Sequence, residues 1–335
     1  MPRLSDIVGQ NLAADVLLRS AGAGKLAHAY LFTGPDGVGK ATCARHLAAT
    51  LNCLDHPGEG CASGGEHDSC ISCHKIENGL HPDLMEVAPD GAYIKIGQVR
   101  QLEEHLMFEP HEGRFRVVII DGADQLNLNA ANALLKSVEE PRPRTLFVLV
   151  ASAGHRVVPT LVSRCQRVRF VPLQVDQVLE VVAGRSDAPE RELRAAAALA
   201  EGSPKRALWL LSGEQMIFIQ QTAAALLDAA SAREVLPLFD AAAGAGRDRK
   251  LLGEALEVAR AWLRDVLLCR EGLGRGRIVN ADQLDRLERE ASRLPRPAIL
   301  AQLRAVNEAQ AALRGNVHPT LALENLVLQM RQATT

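Results

Sequence analysis

HAYLFTGPDGVGKATCARHLAATLN, residues 28–52, changes character twice within 25 residues. HAYLFTG is a short apolar run and predicts a buried strand. TGPDGVGKAT, Thr33 to Thr42, follows with the spacing G-x-x-x-x-G-K from Gly34 to Gly39 and Lys40. KATCARHLAATLN then predicts a helix. A strand, a glycine-rich loop and a helix in that order form the setting of a phosphate-binding loop. Backbone N–H groups and the helix N-terminus face the anion, and the lysine adds a point charge. One position departs from the pattern. The residue after the lysine ordinarily supplies a Ser or Thr hydroxyl for magnesium, and here it is Ala41. Thr42 does not replace it, because one helical step turns the side chain by about 100°.

Working outward, GQNLAADVLLRSAGAG predicts a helix over Gly9–Ala21 with a glycine stop. Leu84–Val87 predicts a strand, and IGQVRQLEEHLMF an amphipathic helix from Gly97. FRVVIIDGADQL predicts a strand over Val117–Ile120 that ends on Asp121, the place where a phosphate-loop enzyme holds its magnesium. Asn129–Glu140 predicts a helix stopped by Pro141, and TLFVLVAS another buried strand. Strands alternating with helices predict an α/β fold with a parallel sheet.

Between the first helix and the second strand lies CLDHPGEGCASGGEHDSCISC, with Cys53, Cys61, Cys70 and Cys73. In a reducing compartment such a cluster predicts a metal site, and four thiolates suit a closed, structural zinc. His56, His67 and His74 are nearby substitutes. Cys43, Cys165 and Cys269 are scattered and predict small buried side chains.

The 335-residue chain is 47% hydrophobic and 23% charged, with a net charge of −2. This is the balance of a globular protein of two or three domains. Aromatic residues make up 3%, which argues against base-stacking platforms. The N-terminus lacks the apolar core of a signal peptide, and no apolar run reaches the ~20 residues of a membrane span. The expectation is a cytoplasmic protein with no membrane partner.

HAYLFTGPDGVGK, the four-cysteine insert, HPDL, VVIIDGADQLNLNAANALLKSVEEP and PTLVSRCQ occur in that order. Together they resemble the delta-prime family of bacterial DNA polymerase III clamp-loader subunits, over at least residues 1–170. The GSPKRALWL stretch, Gly202–Leu210, resembles the family's lid. The resemblance implies an α/β AAA+ parallel-sheet domain over residues 1–169, with a zinc-module insert at about 53–73. It also implies a small helical lid over 170–212 and an all-α collar over 213–335. Its implied partners are the ATP-hydrolysing motor subunits and the clamp-opening subunit in a hetero-pentamer, with the sliding clamp and primed DNA reached through that complex.

Motor relatives share this architecture, so the departures carry the reading. In motors the strand-end aspartate is followed by a glutamate that activates water, and here Asp121 is followed by Gly122. Losing a general base costs ~10²–10⁴ in rate. Asp124, three residues on, is a weak substitute. Motors carry an arginine at the start of the lid helix that senses the γ-phosphate. Alignment on Gly202–Ser203 puts Lys205 at that position, beside Arg206. The candidate nucleotide set is therefore Gly34, Gly37, Gly39, Lys40, Ala41, Thr42, Asp121 and Lys205, with ATP and magnesium expected to bind weakly or not at all. Ser163–Arg164–Cys165 matches the family's arginine-finger motif, so the resemblance makes Arg164 a catalytic residue acting in trans, on a neighbour's nucleotide. Pro141–Phe170 holds six arginines and no Asp or Glu, which suits a face toward an anionic partner. The leading expectation is a subunit with little or no ATPase of its own that supports clamp loading. Two alternatives stay open. One is an active motor subunit, opposed by Ala41 and Gly122. The other is a ring-forming AAA+ helicase motor, opposed by the cysteine insert followed by the Ser-Arg-Cys motif.

Overall fold

The computed structural model describes residues 3–61, 70–212, 215–229, 249–273, 278–280, 283–315 and 317–333. The chain packs as two compact units, Met1–Gly184 with Ala200–Arg206, and Arg185–Leu199 with Ala207–Thr335. Residues 170–212 are thus divided between the two.

The first unit is built on five parallel strands: β1 Ala29–Thr33, β2 Leu84–Val87, β3 Arg116–Asp121, β4 Thr145–Ala151 and β5 Gln166–Arg169. Their order is β2-β3-β4-β1-β5. Nearly every side chain of β1, β3 and β4 is buried. A strand covered on both faces needs continuous aliphatic sequence rather than alternation, which is why RVVIID and TLFVLVA read as unbroken runs. Around them lie α1 Asn11–Gly22, α2 Lys40–Asn52, α3 Ile71–Glu77, α4 Ile96–Leu106, α5 Leu128–Glu139, α6 Pro159–Val162 and α7 Val175–Ala183. Leu31, Ile94, Leu102, Val118, Leu134 and Phe147 belong to one core cluster of this unit.

Helix ends follow local chemistry. Gly9 has φ +75°, outside helical space, so α1 begins at Asn11 rather than at the expected Gly9. The Asn127 side chain accepts the Ala130 N–H at 2.8 Å and starts α5 one residue before the expected position. Three elements have no counterpart in the sequence reading. α3 begins inside the cysteine insert, α6 is a single helical turn, and β5 is an edge strand in which only Val168 is buried.

The second unit is helical throughout its described residues. It holds α8 Glu190–Leu199, α10 Gln215–Ala229, α11 Arg249–Arg270, α12 Leu284–Arg293, α13 Arg296–Arg314 and α14 Pro319–Gln332; α9 Pro204–Leu211 crosses the boundary between units. Leu252, Leu256, Val306, Leu323 and Leu326 form its core. Trp262 is buried, donates its indole N–H to Glu290 and lies under the Arg286 guanidinium at 5.0 Å, so it is a core side chain. Asp265 is fully buried and accepts the backbone N–H groups of Val279 and Asn280. The sequence also suggests a helix break at Gly244–Gly246, which lies outside the described residues. Among the described residues, no helix is long and apolar enough to cross a membrane.

Candidate functional site

β1 delivers the chain to the loop at Thr33, and α2 begins at Lys40. Three glycines are required by geometry, and at Gly34 a Cβ would lie 2.4 Å from the Phe170 carbonyl oxygen. Gly37 has φ +73°, and a Cβ there would lie 2.2 Å from Ser203 Oγ and 2.6 Å from Lys205 Cβ. Gly39, the residue before α2, has φ +99° and nothing within 4 Å of its Cβ position. The loop therefore packs against the Ser203–Lys205 turn on one side and is open at the helix N-terminus. That opening is the anion-binding end of a helix. Ala41 and Thr42, in the first turn of α2, are partly exposed.

Lys40 is 5% exposed, and its ammonium donates to the Gly34 carbonyl at 2.7 Å and to that of Pro35. Burial draws its pKa below the usual lysine value, while Asp36, Asp121 and Asp124 oppose that shift. Lys205 pairs with Asp36 at 3.1 Å, both side chains well exposed, and its backbone N–H donates to the Gly37 carbonyl. The lysine at the position expected to sense phosphate thus reaches the loop itself. An exposed pair of this kind contributes ~0–1 kcal/mol and is easily exchanged.

Asp121 sits at the end of β3, half-buried, and burial raises its pKa against the pull of Lys205 and Arg45. Gly122 follows with φ +94°. Asp124 accepts the backbone N–H groups of Ser152 and Ala153 at 3.3 and 3.1 Å. Its carboxylate closes the turn after β4. The structure gathers Gly34–Thr42, Asp121 and Lys205 at the C-terminal ends of the strands.

Arg164 follows α6, remote in sequence from that loop. Its Nη1 donates to the Thr160 carbonyl at 2.9 Å and to Ser163 Oγ at 3.3 Å, and its Nη2 pairs with Glu139. The other five arginines of the 141–170 segment do not form one patch. Arg142 and Arg144 precede β4 at the N-terminal edge of the sheet, whereas Arg156 follows β4 and Arg169 ends β5, beside Thr33, at the opposite edge. Alternation sets Arg167 and Arg169 on one face of β5.

The four cysteines converge. The Sγ atoms of Cys53, Cys61, Cys70 and Cys73 all lie within 4.8 Å of one another, and all four residues are buried. Cys53 ends α2, while Cys70 caps α3 and Cys73 lies within it. Four thiolates 2.3 Å from a tetrahedral zinc are separated from each other by about 3.8 Å. Here Cys53 Sγ lies 3.4 Å from Cys61 and 3.9 Å from Cys70. Backbone N–H groups of Leu54 and His56 donate to Cys70 and Cys53 Sγ. Such donors favour thiolate, and at Cys70 the N–H groups of Cys73, Leu54 and Asp55 overcome burial to bring its pKa down to about 7. Cys61, without that help, is pushed up to about 12, chiefly by burial. These four residues can hold a metal ion. His56 and His74 do not join them, and His67 lies outside the described residues.

Two family models match the chain: "DNA polymerase III, delta subunit" over residues 9–174 and "DNA polymerase III, delta subunit, C terminal" over residues 218–332. The delta-prime subunit of Bacillus subtilis DNA polymerase III is 30% identical over 95% of this chain and 94% of its own length. The chain belongs to the delta-prime family of DNA polymerase III subunits. The Pseudomonas aeruginosa delta-prime subunit is 37% identical over 55% of each chain. The Bacillus subtilis tau subunit is 28% identical over 99% of this chain but only 62% of its own length. The fold is of the AAA+ type, and the cysteine cluster fits a zinc module.

Within this delta-prime-family fold, two residues of consequence escaped the sequence reading. Gln10 is 3% exposed; its amide donates to the carbonyls of Val38 and Val171, and its oxygen accepts the Val171 N–H. It stitches the phosphate loop to the chain leaving β5. Asp83, in the HPDL motif, is fully buried and is described further below. Both are buried polar side chains bonded to chain remote in sequence, and neither position carries a periodic signal.

Proposed function

We propose that this chain is a non-motor subunit of the DNA polymerase III clamp loader, a structural stator in a hetero-pentamer with motor subunits and a clamp-opening subunit. It supports loading of the sliding clamp onto primed DNA and has little or no ATP hydrolysis of its own. The observation that carries this reading is the state of the carboxylates around the loop. Asp121 is followed by Gly122 instead of an acid, and Asp124 is engaged with two backbone N–H groups. The position that holds the water-activating acid in motor relatives is thus Gly122, and Ala41 supplies no hydroxyl to magnesium. Bound nucleotide would rest on Gly34–Thr42, with Asp121 and Lys205 as its outer contacts. Lys40 would have to exchange its carbonyl partners for phosphate. Arg164 is the contribution to catalysis: its guanidinium stabilises charge on a neighbouring subunit's γ-phosphate, an effect worth ~10³–10⁵ in rate where such fingers operate. The metal held by Cys53, Cys61, Cys70 and Cys73 is structural zinc, since four protein thiolates leave no open coordination position.

The test is steady-state ATP hydrolysis with clamp and primed DNA, by the chain alone and by the complex assembled with its motor subunits. The chain alone is expected to be silent, Lys40→Ala to leave the complex unchanged, and Arg164→Ala to slow it. Turnover by the chain alone that Lys40→Ala abolishes would make it a motor instead.

A further inference from the structure

We propose that Glu139 is a positioning residue for the Arg164 guanidinium. This rests on the reading of Arg164 as a finger acting in trans, and it concerns how that finger is held before a neighbour arrives. An arginine side chain has many rotamers, and an untethered one must surrender that freedom when it meets phosphate. Arg164 is tethered from two separate elements. The carbonyl of Thr160 and the hydroxyl of Ser163, at the end of α6, hold Nη1; Glu139, the last residue of α5, holds Nη2. Among the described residues, the contacts of Arg164 fall on Nη1 and Nη2, with none on Nε. A guanidinium carries five N–H donors and can bind a phosphate through two parallel hydrogen bonds. The tether therefore restricts how the group can swing while donors remain for an anion.

The arrangement is selective. Among the described residues, Arg164 is ion-paired, whereas Arg142, Arg144, Arg156, Arg167 and Arg169 of the same segment are not. Glu140, adjacent to Glu139 and exposed, pairs with nothing. The pair is not a fold-stabilising one: its side chains are 36% and 42% exposed. Exposed pairs of that kind add little to stability. Its two anchors nevertheless come from the elements on either side of the 141–158 segment, so α5 and α6 together aim the group.

The experiment uses the complete complex with clamp and primed DNA, and compares Glu139→Gln, Glu139→Asp, Glu140→Gln, Arg164→Ala and the double variant Arg164→Ala/Glu139→Gln. Glu139→Gln is expected to lower kcat roughly five- to tenfold with the KM for ATP little changed, the cost of freeing a pre-organised arginine. Glu139→Asp should recover part of the rate, and Glu140→Gln should match wild type. The double variant should be no slower than Arg164→Ala, because residues that act as one unit are not additive. Thermal melts of the chain should be unchanged. If Arg164→Ala leaves the rate intact, the finger reading fails and this inference fails with it. If Arg164→Ala slows the complex but Glu139→Gln does not, or if the two losses multiply, the finger stands and the positioning role is wrong. Acceleration by Glu139→Gln would overturn the inference in the other direction, making the pair a brake.

Discussion

Replacing Asp83 by alanine should destabilise the sheet unit by about 3–5 kcal/mol, the cost of breaking a buried charge pair. Asp83 is 0% exposed, and both carboxylate oxygens are in use. Oδ1 accepts the His111 N–H at 2.7 Å and Arg116 Nη2 at 3.2 Å; Oδ2 accepts the N–H groups of Glu112 and Gly113 at 2.9 and 2.7 Å. Burial alone would raise its pKa, but the N–H groups of Gly113, His111 and Glu112 and the Arg116 guanidinium together hold it below the usual carboxylate range. Hydrogen bonds to a charged group contribute about 1.5–3 kcal/mol each, so a simple sum for all four would reach ~6–12 kcal/mol. That sum is too large. His111 and Glu112 are exposed, so water can replace the carboxylate there. Arg116 keeps the carbonyls of His105, Phe108 and Glu109. What remains is a guanidinium 6% exposed that has lost its counter-charge at the first residue of β3. Hydrogen exchange of the Val117–Ile120 amides reads this directly, since central strands exchange through the largest openings. Asp83→Asn should lose a comparable amount, because its Nδ2 donors would face two of the four N–H groups that the carboxylate accepts and Arg116 would still lack its counter-charge. A loss below about 1 kcal/mol for Asp83→Ala would refute the reasoning, because it would mean that water solvates Arg116 as well as the carboxylate does.

The purified chain should carry about one zinc per chain, and stripping it with a chelator should expose four titratable thiols and remove exchange protection from α3 while β1, β3 and β4 stay protected. A metal-free preparation with α3 fully protected would count against the site. His81 supplies a pH dependence. It is 3% exposed, accepts the Asp83 N–H on Nδ1 and contacts Ser72 Oγ through Nε2. Burial lowers its pKa, with Asp83 and Glu112 opposing the shift. The folded state therefore refuses a proton that the unfolded chain accepts. Stability should be complete above about pH 6.5 and fall as pH drops toward the depressed folded value, by up to ~1.4 kcal/mol per pH unit. Urea titrations between about pH 7.5 and 5.5 should show that slope, and His81→Gln should flatten it.

The loop from β1 into α2 is legible because each residue there is constrained locally: an apolar strand, glycines at positive φ, a lysine at the helix start. β3 and β4 are legible for a related reason, since the interior of a strand buried on both faces is apolar, as Val117–Ile120 and Leu146–Val150 are. β5 is not legible. Gln166, Arg167 and Arg169 carry no apolar pattern, and the strand exists because Tyr30–Thr33 offer it a parallel partner. α3 is seven residues long, too short to show periodicity, and is held by Cys70 and Cys73 turning inward. The cysteine cluster itself is readable from spacing and compartment, although the wide gaps leave the histidines as competitors until the Sγ atoms are seen together. Gln10, Asp83 and Arg116 are invisible for a common reason. A polar residue is taken as exposed by default, and only the tertiary fold supplies the partners that let it be buried.

The phosphate loop, with Ala41 after its lysine and Gly122 after Asp121, has a physical reason to keep its shape. The buried Lys40 ammonium donates to the carbonyls of Gly34 and Pro35, in the loop that surrounds it. Gly37 is pressed against Ser203 and Lys205 while its carbonyl accepts the Lys205 N–H, and Val38 accepts from Gln10. The loop is therefore a junction where β1, α2, the segment before α1 and the start of α9 meet through backbone groups. That junction belongs to the same sheet unit from which α5 and α6 carry Glu139 and Arg164. Under the proposed function, the loop's geometry and that of Arg164 then depend on one framework.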